Sequence, residues 1–544
     1  MDGLMMDYQL TLPTILERAE RIFPHQEIVS RLPDKSLHRY TYRDMARRAR
    51  QLAAALRQLG IQPGDRVGTL AWNHHQHLEA YFGVPLSGAV LHTLNLRLHP
   101  TDLAYIINHA GDRVVLVDAT LLPLFEQVWP HVDVEKVVVI SENGEAPGGM
   151  LGFEDLLAGA DPRGFPPPAL DERQAAAMCY TSGTTGRPKG VLYSHRAMVL
   201  HTMGGLGADA TGLRESDTVL PMVPMFHVNA WGLPFTSTMI GAKQVFPGPF
   251  LDPLSLVELF EAERVTFTAG VPTVWLGVLQ LLDKNPGTYD VSSLKTMLTG
   301  GQAAPEALIR GFKQRHNVNV VHAWGMTETT PLGSVTYVPS DALEADEDTR
   351  YHYLAKQGRP SPLVEIRAHG EEGLVPWDGV TMGELEVRGP WIAASYYNNP
   401  EGASQFTEDG WFRTGDIVTI DPLGYIEIRD RAKDVVKSGG EWISSIALEN
   451  ALMSHPAVAE AAVVAAPHPK WLERPVAFIV LKEGQSASDE DLRAHLAPNF
   501  AKWWLPDAYI VVEAIPRTST GKFLKTALRD QIKEHLSQPA EPAS

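Results

Sequence analysis

Residues Tyr180 to Gly190 read YTSGTTGRPKG, with Gly183, Gly186 and Gly190 set among Thr181, Ser182, Thr184 and Thr185 and two cations, Arg187 and Lys189. That composition suits an anion. Glycines let backbone N–H groups approach a phosphate closely, hydroxyls add donors, and the cations supply charge. The small-residue run Ala175 to Cys179 before it reads as a buried strand. Ser194 after it reads as the N-cap of a helix carrying Ala197, Met198, Leu200 and His201. The expectation is strand, loop, helix. A Walker A loop is excluded by spacing: Gly183 and Gly186 enclose two residues rather than four, Pro188 precedes Lys189, and Gly190 occupies the place of a metal-binding hydroxyl. An ordinary Gly/Thr surface turn is the bland alternative, and the density of hydroxyls argues against it.

Outward from this stretch, 544 residues with 44% hydrophobic content exceed one core, so at least two domains are expected. The formal net charge of -18 disfavours nucleic acid as a partner. Arg47, Arg48 and Arg50 are the nearest approach to a basic run and read as a solvated helix face. A single cysteine, Cys179, excludes an internal disulfide, makes cytoplasm the default compartment, and reads as a core thiol. The start MDGLMMDYQL has no secretory pattern. The most apolar region, Val219 to Ile240, is broken by Pro221, Pro224, His227, Asn229 and Pro234, so it reads as a pocket wall and no integral membrane segment is expected.

Thr41 with Asp44 forms a capping-box signature for a helix stopped near Gly60. Short β-compatible runs follow at 67–71, 89–94, 114–117, 137–140, 265–269, 296–299 and 318–321, alternating with helix-compatible segments such as 101–109. This alternation predicts α/β architecture, in which ligands gather at strand ends. His74, His75 and His77 cluster without the spacing or partners of a metal site. The last run delivers HAWGMTETT, where Trp324 beside Gly325 offers a face for a base and Glu328, next to Thr327, a hard oxygen ligand for Mg²⁺. GWFRTGD ends in Asp416, a carboxylate suited to two ribose hydroxyls. A hairpin about 421–424 leads to DRAKDVVKSGGEW, whose charge and Gly439-Gly440 pair suit a hinge. Beyond it, strands are expected at 461–465 and 476–481, a helix at 489–496, and Lys522 in PRTSTGKFLK after a Thr-Gly turn.

In this order and spacing, these segments resemble the AMP-forming adenylate ligases, the superfamily of acyl-CoA synthetases, luciferases and peptide-synthetase adenylation domains. PMFHVNAW, AGVPTVW, KSGGEWIS and HPKWLERP are most similar to bacterial medium- and long-chain fatty-acyl-CoA synthetases. The resemblance implies an α/β fold with a large multi-sheet N-terminal adenylate-forming domain, residues 1–430, and a small mobile α+β C-terminal domain, residues 431–544. It implies fatty acid, ATP and CoA as substrates with Mg²⁺, and conversion through acyl-AMP to acyl-CoA. Thr181 and Glu328 would hold Mg²⁺; Thr184, Thr185 and Lys189 would hold phosphates, with Ser182 and Gly183 also in the ATP/AMP site. Gly301, His322, Ala323, Trp324, Thr327, Asp416, Arg431 and Lys437 would complete the ATP/AMP site, with Trp324 covering adenine. His227, Trp231, Gln302, Gly325, Gly439, Gly440 and Trp442 would serve the acyl and CoA sites. Lys522 would reach the α-phosphate, and the small domain would turn about Lys433 between steps. Homodimers are carried over from the relatives as an option.

Two positions depart from the pattern. Gln302 stands where small residues are frequent, and Trp504 where Gln is frequent, the latter read as a small-domain surface matter. Three other readings compete: a phosphate-loop kinase or NTPase, a non-catalytic lipid-binding protein, and a CoA ligase for a short or functionalised acid such as a methylthioalkanoate or aromatic acid.

Overall fold

The computed structural model describes residues 1, 3–142, 144–181, 187–438, 441–517 and 523–537, the side chains of Glu441 and of 533–537 excepted. Ser182, Gly183, Thr184, Thr185, Gly439, Gly440 and Lys522 therefore lie outside the described residues, as do residues 538–544. The chain divides into two compact units. Of the described residues, one unit holds those up to Glu365 together with Val387–Phe412, the other Ile366–Glu386 and those from Arg413 on.

Among the described residues of the first unit, strands gather into sheets of nine and seven. The seven-stranded sheet runs Leu151–Gly152, Lys136–Ile140, Asp112–Asp118, Arg66–Leu70, Val90–Thr93, Ala175–Tyr180, Gly190–Ser194. Its central strands are parallel and buried on both faces, which is why their sequences are nearly continuous apolar runs. The nine-stranded sheet carries Thr218–Pro221, Phe267–Gly270, Thr296–Thr299 and Asn319–Gly325 in parallel. At its other edge lies the antiparallel pair Glu27–Arg31 and Leu37–Thr41.

One buried side chain stitches the sheets together. Asn73 follows the strand Arg66–Leu70; its Nδ2 donates to the carbonyls of Pro221 (2.9 Å) and Val223 (2.8 Å), and its Oδ1 accepts from Met225 N (2.7 Å). The neighbouring histidines serve the same region. His74 caps the helix His75–Leu86 and bonds Asp118 at 2.8 Å, while His77 bonds Thr69 Oγ1 and the Trp72 carbonyl. Burial holds the His77 imidazole down to about 3. Among the described residues, no group of three or more His, Cys, Asp or Glu is arranged for a metal, and no helix is long and apolar enough to cross a membrane.

The predicted capping box is present: Thr41 and Asp44 bond reciprocally at the start of the helix Tyr42–Gln58. The solvated basic face expected on that helix holds for exposed Arg47 and is corrected for its two neighbours. Arg48 is half-buried between Glu79 (2.7 Å) and Glu154 (2.7 Å), and Arg50 pairs with Glu20, because this side of the helix packs against the rest of the unit rather than water. Burial lifts the Glu79 carboxyl to about 7 even beside Arg48.

In the second unit, Phe412–Ile420 and Ile426–Arg431 form the predicted hairpin, closed by Gly424 N to the Asp421 carbonyl at 2.8 Å with Gly424 at φ +82°. Val458–His468 pairs antiparallel with Leu472–Leu481. Trp504 is half-buried, stacked on Phe500 and packed against this unit's core, so it is not purely a surface residue. Lys525 opens the helix Lys525–Ser537 as a buried cation, 2.6 Å from Glu449 Oε1 and 2.6 Å from Ser445 Oγ. Burial alone would lower its pKa; the carboxylates of Glu449, Asp430 and Asp434 more than offset this and keep it charged.

Candidate active site

The phosphate-loop stretch closes a hairpin, which corrects the strand, loop, helix expectation. Ala175–Tyr180 pairs antiparallel with Gly190–Ser194, and only then does Ser194 cap the helix His195–Gly205, accepting from Ala197 N at 3.1 Å. The mouth of the loop is fixed from both sides: Thr181 N donates to the Lys189 carbonyl (2.9 Å), and Lys189 N to Thr181 Oγ1 (3.0 Å). Gly190 is required because a Cβ there would come within 3.0 Å of the Tyr180 ring.

Beside this mouth stands a buried carboxylate. The strand Asn319–Gly325 ends in a turn, Thr327–Thr329, which sets Glu328 5% exposed; Tyr193 OH bonds the Thr327 carbonyl at 2.7 Å. Tyr396 joins carboxylate to loop. Its hydroxyl donates to Glu328 Oε1 at 2.5 Å, and Lys189 Nζ lies 4.8 Å from its ring centroid. Burial first, then the Glu328 carboxylate, hold this phenol far above its usual range, so it stays a donor. Sequence reasoning missed Tyr396; its one signal is the aromatic doublet in SYYNNP. Thr181 and Glu328 are both oxygen donors and suit Mg²⁺, which prefers one or two carboxylates plus substrate phosphates to an all-protein cage.

The apolar stretch contributes an unusual wall. Val228, Asn229, Ala230 and Trp231 have φ from +46° to +57°, followed by Gly232 at +77°, one left-handed turn in which Val228, Ala230 and Trp231 are strained. Asn229 Oδ1 accepts from Cys179 Sγ at 3.2 Å, and Thr93 Oγ1 lies 3.3 Å from the same sulfur. The lone cysteine is thus a buried latch, its thiol pushed by burial to about 11 and inert. His201 packs beneath Gly232, where a Cβ would meet the imidazole at 2.7 Å, and its Nε2 accepts from Leu332 N. Trp231 reaches Gly300, whose absent Cβ would stand 3.3 Å from the indole and 2.8 Å from the Ala323 carbonyl; Gly301 follows at φ +77°. Buried His322 lies with Nδ1 3.0 Å from the Ala355 carbonyl and Nε2 3.3 Å from that of Gln302, so Gln302 contributes its backbone here. His227 is half-buried just before the left-handed turn.

Trp324 is 6% exposed, its indole lying on Gly333, where a Cβ would come within 2.3 Å of Cζ3. Gly325 admits no side chain either, since a Cβ would collide with the Pro331 carbonyl. Thr181, Lys189, Thr327 and Glu328 thus share one cradle with Tyr193 and Tyr396, and Trp231, Gly301, Gln302, His322 and Ala323 line a second group in the same unit.

In the second unit, Asp416 is buried and faces Arg431 across the hairpin, with Arg431 Nε 3.0 Å from Asp416 Oδ1. Lys433 is exposed, though partial desolvation of its ammonium lowers its pKa, and Arg529 donates to its carbonyl at 2.8 Å. Lys437 Nζ lies 5.6 Å over the Trp442 ring, and both line a concavity of about 280 Å³ with Arg413, Glu384 and Glu386.

Comparison with known proteins agrees with this geometry. The family model for AMP-binding enzymes matches residues 16–397, and that for their C-terminal domain matches 447–522. The chain is 53% identical over 536 residues to the long-chain-fatty-acid–CoA ligase of Thermus thermophilus, covering 98% of this chain and 97% of that one. It is 44% identical over 542 residues to the 3-methylmercaptopropionyl-CoA ligase of Ruegeria lacuscaerulensis, covering 98% and 99%. Among solved structures, the anthranilate CoA ligase AuaEII in complex with anthranoyl-AMP superposes with a TM-score of 0.83 at 28% identity, over 99% of this chain and 100% of that one.

Proposed function

The chain belongs to the AMP-binding enzyme family, and from that premise we propose that it is an AMP-forming acyl-CoA ligase for medium- or long-chain fatty acids. The observation that carries the reading is the cradle in which Lys189 and buried Glu328 meet through Tyr396 at the mouth of a phosphate-loop hairpin. In the first step a fatty carboxylate oxygen attacks the α-phosphorus of ATP; the new O–P bond forms as the bond to pyrophosphate breaks. In the second the CoA sulfur attacks the acyl carbon, the C–O bond to AMP breaks, and the thiol proton passes to solvent.

Charge develops on phosphate oxygens, so the protein's task is placement of donors and cations rather than covalent participation. Lys189 with Thr184 and Thr185 holds phosphates, Asp416 the ribose, Trp324 the adenine, and Lys522 the α-phosphate. Thr181 and Glu328 would hold Mg²⁺, which would supply neutralisation of phosphate charge. Trp231 and Gln302 bound the acyl site, next to the left-handed turn. We place the domain boundary at residues 430/431, with rotation about Lys433 exchanging Lys522 for Gly439 and Gly440 between steps. Cytoplasmic residence, supported by the lone cysteine, and a homodimer belong to the same reading; fractionation and light scattering test them.

The fatty-acid reading is favoured by the similarity to the Thermus ligase, and the Ruegeria relative keeps a short thioether acid as the second reading. Pyrophosphate release across straight-chain acids of two to eighteen carbons and 3-methylmercaptopropionate, with and without CoA, separates them. Lys522→Ala should slow acyl-AMP formation about 10²- to 10³-fold while conversion of supplied acyl-AMP by CoA persists. Equal loss in both half-reactions refutes the assignment of Lys522.

A further inference from the structure

Tyr396 occupies a peculiar place. The segment before it is tied to the metal-side turn, Ala393 N donating to the Glu328 carbonyl at 2.8 Å; the segment after it is tied to the loop hairpin, Tyr397 N donating to the Gly190 carbonyl at 2.9 Å. Between these anchors its ring is fixed by Phe406, edge-on at 5.5 Å, and by Gly402, where a Cβ would come within 2.6 Å of Cδ2. The residue is 7% exposed. A rigid ring so placed presents a face to the Lys189 ammonium and a hydroxyl to the Glu328 carboxylate. Both are favourable interactions, one with the ring quadrupole and one a charge-assisted hydrogen bond.

We infer that Tyr396 is a positioning residue of the nucleotide site: its hydroxyl sets the Glu328 carboxylate and its ring face sets the Lys189 ammonium, so that both stand ready when a metal-bound phosphate enters. The inference rests on the proposed function, in which Glu328 serves Mg²⁺ and Lys189 serves phosphate. The two halves differ in kind. A cation over a ring face is held by a modest attraction that a phosphate readily outbids, so Lys189 is kept in place until phosphate enters. A short hydrogen bond to a carboxylate fixes one oxygen in direction, so Glu328 is oriented. Tyrosine offers both functions on one rigid frame.

The test separates them. A non-hydrolysable ATP analogue is titrated calorimetrically into wild type, Tyr396→Phe and Tyr396→Leu, with and without Mg²⁺, and melting temperatures are recorded without ligand. Tyr396→Phe keeps the ring and should lose about tenfold of the magnesium-dependent gain in affinity, with metal-free affinity unchanged. Tyr396→Leu should lose that and, in addition, several-fold of the metal-free affinity, because Lys189 has no ring to rest on. Undiminished magnesium dependence in Tyr396→Phe overturns the inference, as does an equal loss with and without Mg²⁺, which marks a packing role only. Wild-type binding that is indifferent to Mg²⁺ overturns the metal reading of Glu328, and this inference with it.

Discussion

Gly333→Ala is the sharpest test of the adenine-side geometry, because one added carbon meets one target. Gly333 lies in the strand Leu332–Val335, and its new Cβ would stand 2.3 Å from Trp324 Cζ3 and 2.5 Å from Cε3. Carbon atoms rest at about 3.5 to 4.0 Å, so the indole must retreat by more than about 1 Å. Forced overpacking of this sort costs about 1 to 3 kcal/mol of stability. If the indole is the platform for adenine, its displacement should also forfeit much of a base stack worth about 1 to 3 kcal/mol, raising the AMP or ATP dissociation constant roughly five- to a hundredfold. Thermal unfolding reads the first effect and calorimetric titration with ATP the second. Adding Trp324→Ala to Gly333→Ala removes the clash, so the pair should be more stable than the sum of the single losses implies, while nucleotide affinity falls no further. A Gly333→Ala variant that is destabilised but binds nucleotide normally would falsify the role of Trp324. One that matches wild type in both would show that the indole yields freely.

Two further outcomes follow from single residues. Burial holds His201 neutral, its pKa lowered from 6.5 to about 4, and its Nε2 accepts from a backbone N–H, a bond only the neutral ring can make. As pH falls through 6.5 the unfolded chain takes up this proton while the folded one does not, so stability is lost down to about pH 4, on the order of 3 kcal/mol for the full shift. His201→Gln should flatten that part of the melting-temperature profile, leaving the slope due to the other buried histidines, His75, His77, His195 and His322 among them; an unaltered slope refutes the account. Asp416→Ala should weaken ATP binding by about 1.5 to 3 kcal/mol, the worth of hydrogen bonds to a charged group. Unchanged affinity in calorimetry removes Asp416 from the ribose.

The sequence disclosed most where local physics decides. Valine-rich runs such as 114–117 and 137–140 became central parallel strands because such strands are buried on both faces. The capping signatures at Thr41 and Ser194 were legible because a hydroxyl satisfies a helix start within one turn. The pair Glu27–Arg31 and Leu37–Thr41 was not, since charges and histidines at a sheet edge hide its pattern. The strand Gly190–Ser194 was obscured by the helix signal at its own last residue. Tyr396 escaped because its partners, Lys189 and Glu328, are remote in sequence and the doublet SYY names neither. The left-handed turn was equally hidden: in HVNAW only Asn229 tolerates that backbone, and the surrounding fold imposes it on Val228, Ala230 and Trp231.

The place of Glu27–Arg31, between the edge strand Leu37–Thr41 and the rest of its sheet, carries a consequence for synthesis. Its parallel neighbour is Lys243–Phe246, with Ile28 opposite Gln244 and Ser30 opposite Phe246. A ribosome adding roughly 5 to 20 residues per second needs on the order of ten seconds or more to make the roughly two hundred residues between them. For that interval the first strand pair of the nascent chain has no sheet to join, and its open edge is a template for other chains. The first unit therefore cannot close in N-to-C order: its opening segment is among the earliest made and must wait for its partner strand, so yield at high expression should depend on holdase chaperones and on slow elongation.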